Sequence, residues 1–161
     1  MMKSVLYTIL SAAILSTAVS CKDKSSSTCV DVNITIPERD SVALKNYITN
    51  NSINAEYDSR GFYYKIQNPG SSKKPSQCAT IMIDYSGKLV NGTVFDSNNN
   101  QTFSLLSLIS GWRMGMPLVG EGGEIILYLP PALGYGDEDN GPIPGGSITI
   151  FTIKLHSITK D

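Results

Sequence analysis

The rhythm of apolar and polar positions changes three times along the chain. Residues 5–19 are almost unbroken apolar sequence behind one charge, Lys3. A stretch of about fifteen residues is too short to cross a hydrocarbon layer of roughly 30 Å and fits the core of an export signal. A buried N-terminal helix is the alternative, but the charged, Ser-rich run from Cys21 to Ser27 follows at once and gives such a helix nothing to join. Polar sequence with weak periodicity continues to Arg39, as expected of a tether. A helical rhythm comes next: Asp40 or Ser41 can cap it, Leu44, Tyr47 and Ile48 fall at i, i+3 and i+4, and Asn50-Asn51 ends it. Gly61 then opens an aromatic strand, Phe62 to Ile66, which Asn68-Pro69-Gly70 closes as a turn.

After Cys78 the period shortens to two. Ala79, Ile81, Ile83 and Tyr85 alternate with Thr80, Met82 and Asp84, the mark of a half-buried strand. Asn91-Gly92 is a hairpin signal before Thr93-Val94-Phe95. A short helical segment from Ser110 to Met116 is stopped by Pro117 and three nearby glycines, and Glu124–Leu129 and Ser147–Ile158 read as further strands. One helix among several antiparallel strands argues for an α+β domain with the helix packed on one face of the sheet. Residues 1–20 therefore read as a signal peptide, 21–39 as a tether, 40–78 as an extension with a helix and a strand, and 79–161 as the main domain.

Composition narrows the function classes. Thirteen basic and 14 acidic side chains leave a formal net charge of −1, which provides no footprint for nucleic acid. With 41% hydrophobic and 17% charged residues the chain is not of disordered composition. Its single histidine, His156, stands alone near the end of the last strand. No metal-ligand cluster or Ser-His-Asp order can be built around it, so neither metal nor cofactor is expected, and no role falls to His156.

The three cysteines add a compartment. Ala18-Val19-Ser20 before Cys21 resembles a bacterial lipoprotein signal, in which the cysteine is diacylated and becomes the new N-terminus. The usual Leu three residues before that cysteine is Ala18 in this chain. Ordinary cleavage near Ser20, with Cys21 left free, is the alternative. Lipidation is favoured because it leaves Cys29 and Cys78 as an even pair, candidates for a disulfide in an oxidising envelope. Whether they approach within bridging distance is not legible in sequence. The expected location is the bacterial cell envelope, lipid-anchored, in the periplasm or at the outer membrane.

Five blocks then fall in a recognisable order: Ile83-Asp84-Tyr85-Ser86-Gly87-Lys88-Leu89, Asn91-Gly92-Thr93-Val94-Phe95-Asp96-Ser97, Leu108-Ile109-Ser110-Gly111-Trp112, Leu129-Pro130-Pro131-Ala132-Leu133-Gly134-Tyr135-Gly136, and Ile143-Pro144 through Phe151. Together they closely resemble the FKBP-type peptidyl-prolyl isomerases over Ala79 to Ile158. The resemblance implies a five- or six-stranded antiparallel sheet wrapped around one short helix, with an apolar pocket between them. By motif, Trp112 would form the floor beneath a proline ring. Tyr85, Phe95 and Phe151 would wall it, with Leu108, Ile109 and Ile143 completing the lining. The Ile109 N–H and the Tyr135 hydroxyl would donate to substrate carbonyls. Asp96 would orient Tyr85 or Tyr135, or interact with the twisting amide, so Tyr85, Asp96 and Tyr135 are the candidate catalytic residues. Taken singly, Trp112, Phe95 and Phe151 would be core in almost any β-rich domain and Asp96 a turn residue; it is their joint order that points to a site.

The chemistry needs no more than this. Rotation about a peptide bond faces a barrier of roughly 18–20 kcal/mol because the twisted state loses resonance, and a catalyst has only to bind that state better than either planar isomer. The implied partners are exported polypeptides with X-Pro bonds and, through the lipid, a membrane; a monomer is expected. A non-catalytic chaperone or partner-binding module using the same pocket is the second reading. Some positions depart from the family pattern. Gln101 falls where some members carry a pocket aromatic, which predicts an open or polar wall. Gly145-Gly146 predicts a flexible loop over the pocket, and Asp137-Glu138-Asp139 a solvated acidic run able to bias the site toward basic substrates.

Overall fold

The structure, a computed structural model, describes residues 29–161. The expected signal peptide, its cleavage point and Cys21 lie outside the described residues. Eight regular elements follow in chain order: α1 (Glu38–Asn50), β1 (Glu56–Asp58), β2 (Phe62–Asn68), β3 (Thr80–Leu89), β4 (Val94–Ser104), α2 (Ser110–Gly115), β5 (Glu124–Leu129) and β6 (Thr149–Lys160). The strands form one antiparallel sheet in the order β1-β2-β5-β6-β3-β4. The α+β class and the six-stranded sheet agree with the sequence reading.

Period-two alternation assigns the strand side chains to two faces. Phe62, Ile81, Ile83, Ile125, Leu127, Leu129, Phe151, Ile153 and Leu155 point inward, and Trp112, Met114 and Met116 from α2 and the turn after it close over them. The intervening positions Tyr63, Ile126, Tyr128 and Ile150 would face water on a one-sided sheet. Instead α1 covers them with Leu44 and Ile48, buried at i and i+4. The sheet thus carries a helix on each face: α2 of the main domain on the inner one and α1 of the extension, also expected from the sequence, on the outer one. The extension is continuous with the main domain, because β2 is hydrogen-bonded along β5 from Tyr63–Tyr128 to Asn68–Glu124.

Two boundaries also differ from expectation. α1 starts at Glu38, inside the stretch read as a tether, because Pro37 accepts the Asp40 and Ser41 amides and opens the first turn. Residues 29–37 form a strap across the domain. Cys29 and Cys78 are joined in a disulfide with their Cα atoms 5.7 Å apart. Val32 donates its N–H to Gln77 Oε1 at 3.1 Å, Gln77 Nε2 donates to Asp31 at 3.0 Å, and Arg113 of α2 donates to the Val30 carbonyl at 3.3 Å. Val32 and Ile36 pack on the core while Val30 and Ile34 stay exposed. Every second residue of the strap from Val30 to Ile36 is apolar, but only Val32 and Ile36 are used.

Candidate active site

The β3–β4 hairpin and α2 place most of the candidate residues. Tyr85 lies on the inner face of β3, and its hydroxyl donates to Asp96 Oδ2 on β4 at 2.7 Å. Phe151 projects from β6 between two rings, 5.6 Å from Phe95 and 5.2 Å from Trp112, both edge-on. The Tyr85 ring meets Trp112 edge-on at 5.3 Å. Such tilted contacts put the positive edge of one ring against the negative face of the next. Gly87 allows this closeness: a Cβ there would lie 2.7 Å from the rings of both Phe95 and Phe151.

These side chains enclose a cavity of about 270 Å³ lined by Tyr85, Asp96, Phe103, Ser107, Leu108, Ile109, Trp112, Tyr135 and Phe151. It lies below the range typical of drug-sized ligand pockets, roughly 300–1,000 Å³, and suits a residue-sized ring. A larger cavity of about 740 Å³ sits among Arg39, Asp40, Leu89, Pro131, Asp137 and Ile148. It contains no aromatic ring, so it lacks the dry, ring-walled character that the smaller one has.

Seven of the nine expected catalytic and substrate-binding residues meet at the smaller cavity. Phe95 stands behind the wall, packed edge-on against Tyr135 at 5.9 Å and against Phe151. Ile143 is buried in its loop and does not line the cavity. Phe103, which the resemblance does not assign to the site, supplies a wall, meeting Tyr85 edge-on at 6.0 Å. It corrects the expectation of an open or polar wall at Gln101. β4 bulges at Asn100, which has φ of +53°, and the pairing with β3 shifts register between Ile83 and Tyr85. That shift leaves Gln101 donating to the Asn99 carbonyl, while Phe103 serves as the aromatic. Ser107, at the rim, carried no sequence signal.

The bulge has its own support. Asp84 accepts the Asn100 N–H at 2.8 Å, and His156 Nε2 lies 2.8 Å from the same carboxylate. The Asn100 amide first, and then His156, hold the Asp84 carboxyl below its usual range. His156, to which the sequence assigned no role, thus supports the strand that carries Asp96.

Inside the cavity the polar groups are few and aimed. The Trp112 indole N–H is buried and has no hydrogen-bond partner among the described residues. The Ile109 carbonyl accepts the Trp112 and Arg113 amides that start α2, and no hydrogen bond within the described residues uses the Ile109 N–H. Burial, and secondarily the bond to Asp96, push the Tyr85 phenol up to about 12. Burial and the charge of Asp96 also raise Tyr135. Both hydroxyls therefore stay protonated donors throughout the physiological range.

Because the folded-state value of Tyr85 lies above the ordinary tyrosine value of about 10, the stability it contributes is complete below pH 10 and is lost as pH rises through about 12. An ultraviolet titration of the folded protein is expected to show four late-ionising tyrosines, Tyr64, Tyr85, Tyr128 and Tyr135, and Tyr85→Phe should remove the latest of them. A wild-type curve in which every tyrosine ionises near pH 10 would show that Tyr85 is neither buried nor bonded to Asp96 as described.

A six-stranded antiparallel sheet curved over a short helix, with a ring-walled cavity of prolyl size at their junction, defines a class of domain, and comparison gives the class its name. Residues 71–156, just over half of the chain, match the family of FKBP-type peptidyl-prolyl cis-trans isomerases. The chain belongs to that family. It is 38% identical over 103 residues, 61% of its length, to the probable FKBP-type peptidyl-prolyl cis-trans isomerase FkpA of Neisseria meningitidis, covering 38% of that protein. It is 35% identical over 105 residues, 62% of its length, to the outer membrane protein MIP of Legionella longbeachae, covering 45% of it. The crystal structure of FkpA from Escherichia coli superposes with a TM-score of 0.69 at 26% identity, over 76% of this chain and 60% of that one. The chain spans about two fifths of the length of the curated relatives it matches. No helix among the described residues is long and apolar enough to cross a membrane.

Proposed function

We propose that this protein is a peptidyl-prolyl cis-trans isomerase acting on X-Pro bonds of exported polypeptides, anchored in the bacterial envelope through a lipid on Cys21 after removal of residues 1–20, and working as a monomer without metal or cofactor. The observation that carries the reading is the cavity itself: five aromatic rings, one carboxylate and two tyrosine hydroxyls around a prolyl-sized space. Residues 71–156 matching the isomerase family support it.

The chemistry follows from what the lining can do. Planar and twisted amides differ in polarity, since twisting removes the resonance that charges the carbonyl oxygen and the nitrogen. A proline ring seated on Trp112 between Tyr85, Phe103 and Phe151 leaves water, and a dry surround favours the less polar, twisted state. Fixed donors then meet the carbonyls where rotation carries them, with no reorganisation at the moment of reaction. Ile109 N–H and the Tyr135 hydroxyl are the proposed donors. Asp96 holds the Tyr85 ring in the wall through its hydroxyl. No bond is made or broken, so neither a nucleophile nor a general base is needed.

In an isomer-specific proteolysis or proline-switch assay on a short X-Pro peptide, the mature protein is expected to accelerate exchange. Asp96→Ala and Tyr135→Phe should each lose about tenfold, the factor that roughly 1.4 kcal/mol of transition-state stabilisation represents. Folded wild-type protein with no effect on the exchange rate would leave only the non-catalytic binding reading.

A further inference from the structure

The loop that carries Tyr135 runs from Gly134 to Ser147 and contains five glycines, a composition that predicts many conformations. The structure finds it stitched to itself. Gly136 donates to Pro131, Gly146 donates to Gly136, Asn140 and Ile143 exchange backbone bonds, and Asp139 accepts the Gly145 N–H at 2.8 Å. Gly145 lies so close to the Asp137 carbonyl that a Cβ would be 2.0 Å from it. The loop therefore moves as one piece, and its orientation depends on what holds it from outside.

Among the described residues, one side chain reaches it by hydrogen bonds from another element: Arg39 of α1, whose Nη2 donates to both carboxylate oxygens of Asp137, two residues beyond Tyr135. The other end of Arg39 is fixed, since its Nε donates at 2.9 Å to Asp40, a carboxylate only 3% exposed. α1 is in turn pinned to the outer face of the sheet by Leu44 and Ile48. A rigid path thus runs from the sheet through α1 and Arg39 to the loop that presents the Tyr135 hydroxyl.

We infer that Arg39, which lies outside the stretch matching the isomerase family, is a positioning residue for the active-site loop, so that the N-terminal extension sets the geometry of the pocket. The inference rests on the isomerase reading above. Arg39 and Asp137 are exposed, and exposed pairs contribute little to stability and are weakened by salt. The effect belongs to placement of Tyr135, and a planar guanidinium fork supplies direction that an ammonium does not.

The test uses the mature protein and an uncharged X-Pro peptide at low and at 1 M salt. Arg39→Gln and Asp137→Asn are each expected to lower kcat/KM about three- to fivefold at low salt, and the double variant no further, because both remove one interaction. Wild type should fall to the variants' level at 1 M salt, where screening acts within about 3 Å, while the variants stay put. Arg39→Lys should recover the activity only in part. Amide exchange at Gly136 and Gly146, read on the same samples, should quicken in Arg39→Gln with the melting temperature unchanged. Single variants with wild-type kcat/KM, or losses that add in the double variant, would overturn the inference. A wild type that does not accelerate exchange of the peptide would instead overturn the isomerase reading, and the loop amides alone would then decide the clamp: unchanged exchange defeats it.

Discussion

Removing the Cys29–Cys78 bond is expected to cost roughly 4 kcal/mol of folding stability, the loop-closure value for a sequence separation of 49 residues. That is a large share of the 5–15 kcal/mol typical of a domain. The bond fixes the strap at its first described residue, and the strap crosses to the Val30 carbonyl that Arg113 of α2 engages. Denaturant melts of the mature protein with and without reductant, and of the Cys29→Ala, Cys78→Ala double variant, should agree on the loss. A midpoint shift of at least 10 °C in thermal melts is the corresponding signature. Equal stability in the oxidised and reduced protein would mean that the strap closes without the sulfur bond.

Phe151→Ala is expected to have the largest combined effect. The ring is 1% exposed, sits at the centre of the sheet on β6, and separates Phe95 from Trp112. Deleting a buried ring costs about 3–5 kcal/mol, and the cavity left behind joins the pocket and admits water to the proline site. Isomerase activity should then fall by more than tenfold at a temperature where the variant is still folded. Phe151→Leu separates the two contributions. It keeps the pocket dry at a cost of about 1.5 kcal/mol or less, so its activity should lie between wild type and alanine. An alanine variant that is folded and turns over at the wild-type rate would remove Phe151 from the site and leave it only a core residue.

Much of this architecture is legible in the sequence because the signals are local. The alternation from Ala79 to Tyr85, the Asn91-Gly92 turn and the glycine-and-proline punctuation around Ser110–Met116 each settle one element by itself. The five blocks then bring Tyr85, Asp96, Trp112 and Tyr135 together although 50 residues of chain separate the first from the last. What stays hidden depends on partners distant in sequence. Asp96, which taken singly reads as a turn residue, lies in strand β4, because β3 supplies the pairing and Asp84 accepts the Asn100 amide at the bulge. Phe103 enters the pocket only after that bulge resets which residues face inward. The strap from Cys29 to Pro37 alternates apolar and polar residues, but what ties it down is distant in sequence, since Gln77, Arg113 and Cys78 make its attachments. Asp137 looks like solvated charge and is taken by Arg39, so of the acidic run it is Glu138 that remains without a described hydrogen-bond partner.

The strand order β1-β2-β5-β6-β3-β4 also sets a timetable. The two hairpin-like halves, β1-β2-β5 and β3-β4, share no ladder with one another; β6 lies between them and pairs with both β5 and β3. It is the last of the described strands, Thr149–Lys160. A polypeptide that emerges N-terminus first therefore cannot close this sheet until β6 has followed the other five strands. Pairings this distant in sequence form slowly. The protein proposed to hasten the folding of exported chains therefore completes its own pocket late, because Phe151 arrives on the last of the six described strands.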